Sequence, residues 1–94
     1  MGRLRLAKFD RTIDALRELL VAKNHDYGSS AFESPLLLPT MKPETGVLVR
    51  IGDKIKRLQT LARNSQYVDE SFDDTIRDLA GYCILYLACK ETDD

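Results

Sequence analysis

Two sets of charged residues have the spacing to do chemistry together. Arg50, Lys54 and Arg57 fall within about 60° of one another on a helix turning about 100° per residue, beside the apolar Ile51, Ile55 and Leu58. Asp53 sits on the adjoining polar flank. Glu70, Asp74 and Asp78 repeat at i, i+4, i+8 further along the chain, and Gly81 continues that row one turn later without a side chain. Carboxylates at this spacing can hold Mg²⁺ through hard oxygen ligands, while Lys and Arg neutralise phosphate oxygens. The two rows together read as a site for a phosphorylated ligand. The plainer reading is a salt-bridge ladder that sets helix register, in which exposed pairs contribute less than ~1 kcal/mol each. Charge placed at the boundary of a core, rather than on the outer face, favours the site.

A second constellation is the run Lys23-Asn24-His25-Asp26-Tyr27-Gly28. Tyr27 can stack on a base, with His25 and Asp26 beside it. A lone His next to a carboxylate also serves as a turn or cap. No Ser-His-Asp order, CxxC pair or phosphate-cradling glycine loop occurs, so nucleophilic catalysis and zinc have no support.

The elements that position these residues follow from apolar periodicity. Phe9, Ile13, Leu16 and Leu20, widened by Leu19 and Ala22, predict an amphipathic helix over 9–23 that ends near Asn24. Pro43-Glu44-Thr45 opens a second helix, since proline at the first turn gives up no needed N–H. Its expected buried stripe is Val47, Ile51, Ile55, Leu58 and Ala62, and it should reach about Arg63. Asp69-Glu70-Ser71 opens a third, running to about Lys90, and residues 91–94 are expected to fray. Helices two and three are joined by about five residues, 64–68, so they should run antiparallel and bring the two charged rows face to face.

The stretch from 24 to 45 is long for a compact domain. Its apolar residues Tyr27, Phe32, Leu36, Leu37 and Leu38 suggest an ordered flap packed near the site. In the third helix, Leu79 to Cys89 is apolar on every side and needs covering all round, by a second copy of the chain or, in the alternative, by a fourth short helix from the 24–45 stretch.

Composition bounds the rest. Ninety-four residues, 44% apolar and 31% charged, suit one helical domain over 1–94 that buries only about 60–65% of its unfolded surface, so oligomerisation is expected. Fourteen Lys+Arg against fifteen Asp+Glu argue against nucleic acid as the main partner. No apolar run approaches the ~20 residues that span a bilayer, and no signal-peptide block is present. Cys83 and Cys89 read as reduced core thiols of a cytoplasmic protein.

Three blocks taken together carry a family resemblance: Lys23 to Gly28, Arg50-Ile51-Gly52-Asp53-Lys54-Ile55-Lys56-Arg57-Leu58, and Asp69-Glu70-Ser71 through Asp74-Thr75 to Asp78-Leu79-Ala80-Gly81-Tyr82. In order and spacing they resemble the nucleotide modification associated domain type 1 family, common in bacteriophage genomes and associated with nucleotide metabolism and hypermodified DNA. The last block is also similar to the third helix of MazG-like all-α nucleoside-triphosphate pyrophosphohydrolases, which assemble as dimers or tetramers. Those enzymes hold Mg²⁺ with acidic residues of two neighbouring helices while water attacks the phosphate chain.

The resemblance implies that Glu70, Asp74 and Asp78 bind Mg²⁺ or position water. It also implies that Arg50, Lys54 and Arg57 contact phosphates, and that Asp26 and Tyr27, with His25 alongside, close over the nucleotide. One departure matters. MazG-like enzymes carry Glu-x-x-Glu on the second helix, where this chain has Arg50-Ile51-Gly52-Asp53-Lys54. The expectation is therefore an oligomeric all-α bundle of three main helices, MazG-like, that binds a nucleotide and either cleaves it with Mg²⁺ or sequesters it intact. A cationic pocket without hydrolytic equipment would suit a phage protein that captures a nucleotide immune signal, linear or cyclic. A third alternative is a structural or inhibitory interaction module that binds no small molecule.

Overall fold

Three helices carry the chain: α1 (Arg3–Asp26), α2 (Pro43–Arg63) and α3 (Asp69–Cys89). They are seen in a computed structural model that describes residues 3–26, 32–33, 40–64 and 69–91; no strand occurs among these. Two compact units divide the chain, Met1–Ser30 holding α1 and Ala31–Asp94 holding α2 and α3. No described helix is long and apolar enough to cross a membrane.

The helix ends have local causes. Lys42 is extended (φ −67°, ψ 146°) ahead of Pro43 at the first helical position, and Glu44 sits in the positive first turn. The Asn64 N–H closes α2 by donating to the Thr60 carbonyl at 3.1 Å. α3 tightens at its end, where Lys90 and Glu91 donate to the carbonyls of Leu87 and Ala88, three residues back. α2 and α3 thus match the expected spans to within a residue. α1 begins earlier than the periodicity suggested, because Arg3 to Lys8 contains only residues compatible with a helix and no breaker.

Within its unit α1 keeps its apolar stripe largely in solvent. Phe9 and Ile13 are 53% and 56% exposed, while Leu16 and Leu20 are partly covered. Phe32, expected to anchor the 24–45 stretch, is exposed; Tyr27 and Leu36 to Leu38 lie outside the described residues.

The second unit is a hairpin in which α2 packs along α3. Val47, only 3% exposed, is its buried apolar side chain among the described residues. The inward row of α2 runs Val47, Ile51, Lys54, Leu58 and Leu61, not through Ile55 and Ala62, which are exposed. The reason is period. A helix packed along a neighbour presents a seam repeating every 3.5 residues, so steps of four drift off it and Lys54 takes the place expected for Ile55.

On α3 the seam sorts the apolar run. Leu79, Tyr82, Leu85, Tyr86 and Cys89 are partly covered, whereas Cys83, Ile84 and Leu87 are exposed. Cys83 is therefore no core thiol. Cys89 is partly covered, and burial raises its thiol pKa, with the Glu44 carboxylate adding to the shift. That influence places the first turn of α2 beside the last turn of α3, as an antiparallel pair requires.

Neighbouring valines test this packing. Val47→Ala should lower unfolding stability by about 2 kcal/mol, from two lost methyl groups and the void they leave. Val49→Ala, two residues on and 58% exposed, should change it by less than about 0.5 kcal/mol. Urea unfolding followed by circular dichroism measures both, and equal losses would contradict the packing described.

Candidate functional site

Three cations of α2, Arg50, Lys54 and Arg57, turn toward α3. The Arg50 guanidinium carbon lies over the Tyr82 ring, 5.9 Å from its centre. Lys54 Nζ is 3.3 Å from Asp78 Oδ2, in a pair whose side chains are 26% and 28% exposed. Arg57 donates from Nε to Thr75 Oγ1 at 3.2 Å. Four residues forward on α2, from 50 to 54, match four back on α3, from 82 to 78. Three forward, to 57, match three back, to 75. One register therefore joins all three contacts, and it is the antiparallel register expected from the short connection.

Thr75 is the fixed point of this row. It is 3% exposed, accepts from Arg57 and donates its own proton to the Ser71 carbonyl at 2.8 Å. Its hydroxyl thus both donates and accepts, as a buried hydroxyl must to avoid the penalty of an unmade bond.

The acidic row behaves differently from the basic one. Asp78 meets Lys54, but Asp74 is turned outward, 63% exposed, with Oδ1 accepting from Arg77 Nη1 of its own helix at 2.8 Å. Glu70 lies on the first turn of α3, with its side chain outside the described part of the structure. His25 and Asp26 lie on the last turn of α1 in the same position, and Tyr27 is outside the described residues. The structure thus joins Arg50, Lys54, Arg57 and Asp78, and keeps Asp74 on an outer flank.

The contacts of the acidic and basic residues differ. Asp74 and Asp78 each have an oxygen drawn to a side-chain cation. Among the described residues no three His, Cys, Asp or Glu side chains converge as metal donors. The cations, by contrast, have donors to spare. Among the described residues the Arg50 guanidinium has only its ring contact, and the terminal nitrogens of Arg57 have no hydrogen-bond partner. Arginine forks of this kind bind phosphate oxygens in pairs.

Tyr82 and Thr75 belong to this site, although sequence reasoning gave them no role. The available signal was position: both share the α3 face that carries Asp78, at steps of three and four.

Thr75→Val preserves shape but removes the hydroxyl, leaving the buried end of Arg57 without its acceptor. The expected loss is about 1–2 kcal/mol of stability, read from denaturant unfolding. Thr75→Ser should recover most of it, and a neutral Thr75→Val would show that this contact does not hold the register.

No curated protein and no solved structure matched the chain. The sequence pattern of one family did, over residues 23–88, a span that contains α2, nearly all of α3 and every member of the row just described. On that match the chain belongs to the nucleotide modification associated domain 1 family.

Proposed function

We propose that this protein binds a nucleotide through the Arg50, Lys54 and Arg57 row, with phosphate oxygens taken by the two arginines and Lys54 between them. The observation that carries the reading is the pair of guanidinium groups seven residues apart on one face of α2, both with donors left over from their contacts with α3. Two helical turns separate them, about 10 Å along the axis. A phosphorylated ligand contacting both would displace no salt bridge, because neither arginine is in one among the described residues. Tyr82, already under Arg50, offers an aromatic face at one end of the row. The family match supports nucleotides as the class of ligand.

Binding without cleavage is the reading favoured by the paired state of Asp74 and Asp78 and by the cationic α2. The MazG-like alternative adds hydrolysis with Mg²⁺ at Glu70, Asp74 and Asp78. For that, Lys54 must release Asp78 when metal enters.

The two are separated by incubating the protein with linear and cyclic nucleotides, with and without Mg²⁺, and analysing the retained and released fractions by chromatography. The expected result is retention of an intact nucleotide without Mg²⁺. Arg50→Ala and Arg57→Ala should each weaken it by tenfold or more, with helical content unchanged. Mg²⁺-dependent release of pyrophosphate, lost in Asp78→Ala, would establish the hydrolase reading instead. Indifference to every nucleotide would overturn both and leave the charged rows as a structural device.

A further inference from the structure

The three cations of the row are not equivalent. Arg50 and Arg57 stand exposed at its two ends, while Lys54 is half-buried between them and held by Asp78. Among the described residues Lys54 is already in a salt bridge, and neither arginine is in one. The middle of the row also carries a second carboxylate. At about 100° per residue, Asp53 lies some 40–60° farther round α2 than the two arginines, away from the seam, and it is exposed. Asp53 on the outer flank and Asp78 in the seam thus bracket the midpoint, with Lys54 as the cation between them. Charge along the row therefore runs positive, net negative, positive.

The two positive ends are held apart. Arg50 is anchored at Tyr82 and Arg57 at Thr75. The arginines are seven residues apart on α2 and their anchors seven apart on α3, about 10 Å in each case. One phosphate, accepting at about 2.8 Å, does not reach both guanidinium groups across that gap. A chain of directly linked phosphates would span it, but would lay its central charge over Asp53 and Asp78, where like charges repel. Two phosphates joined through an uncharged spacer meet a cation at each end and bring no charge to the middle. In a nucleotide that spacer is the sugar, whose hydroxyl can donate to a carboxylate.

Resting on the nucleotide reading above, we infer that the row takes ligands in which two phosphate groups flank a sugar, in preference to a contiguous polyphosphate chain. A nucleoside 3′,5′-bisphosphate and a 5′-phosphorylated dinucleotide share that chemistry. Arg50 and Arg57 each take one phosphate, and Lys54 stays with Asp78 beneath the sugar. Asp53 and Asp78 then determine specificity by repulsion, excluding charge from the centre of the ligand.

Isothermal titration calorimetry of the full chain, with a chelator present, tests the inference. The probes are the nucleoside 3′,5′-bisphosphate, the 5′-triphosphate and the 5′-phosphorylated linear dinucleotide, each with the four ordinary bases. The bisphosphate and the triphosphate carry nearly the same charge, so their ratio reports where that charge sits. For the base that binds best, the bisphosphate or the dinucleotide should bind about tenfold more tightly than the triphosphate, and the tighter of the two identifies the source of the spacer. Asp53→Asn and Asp78→Asn should each raise affinity for the triphosphate by about three- to tenfold and narrow that ratio, with the helical signal in circular dichroism unchanged. Asp53 is exposed, so its variant gives the answer even where Asp78→Asn disturbs the seam. A triphosphate bound as tightly as both other probes, or a ratio that Asp53→Asn leaves unmoved, would overturn the inference and leave nucleotide binding standing. Failure of every probe to bind would overturn the nucleotide reading with it.

Discussion

A hydroxyl, a lysine and an arginine hold two helices in register here, where a larger core would do so by shape. Val47 is the buried apolar side chain among the described residues, so interdigitation alone gives α2 and α3 little reason to prefer one sliding position. Thr75 supplies that reason. Buried and bonded on both sides, it ties Arg57 of α2 to the backbone of α3. A slip of one turn would strand the hydroxyl and separate Lys54 from Asp78. Uncompensated polar groups cost more than the modest gain from each bond, so such contacts define register more sharply than they add stability.

That register determines everything proposed about function. It sets Arg50 over Tyr82 and leaves the arginine ends with donors to spare among the described residues. It also turns the acidic residues to different tasks. Asp78 is recruited to the seam by Lys54, and Asp74 is released to its own helix and Arg77. Two carboxylates one helical turn apart thus meet different cations.

The two sides of the hairpin divide its labour by the same geometry. One side carries cations at the edge of the seam; elsewhere Leu48, Ile55, Ile76 and Leu87 stay exposed. A narrow two-helix unit cannot cover its own apolar surface.

Helix positions were legible without coordinates because their signals are local. Pro43 with Glu44, and Asp69 opening the third helix, mark starts through dihedral preference and helix-end charge, and the structure follows them closely. The antiparallel arrangement of α2 and α3 was legible from the short connection, and the inward turn of Arg50, Lys54 and Arg57 from their angular spacing. The seam was legible only in part: Val47, Ile51 and Leu58 face inward as their spacing suggested, and Ile55 and Ala62 do not. The choice of Lys54 over Ile55 depends on a period that shortens only when a second helix is present. The roles of Thr75 and Tyr82 depend on which α2 residue stands opposite, and the outward turn of Asp74 on whether a cation from α2 reaches it. Sequence alone determined where the helices are and which charges they carry. Tertiary structure decided which of those charges meet, since pairing across two helices is set by relative register, a quantity no local stretch of residues contains.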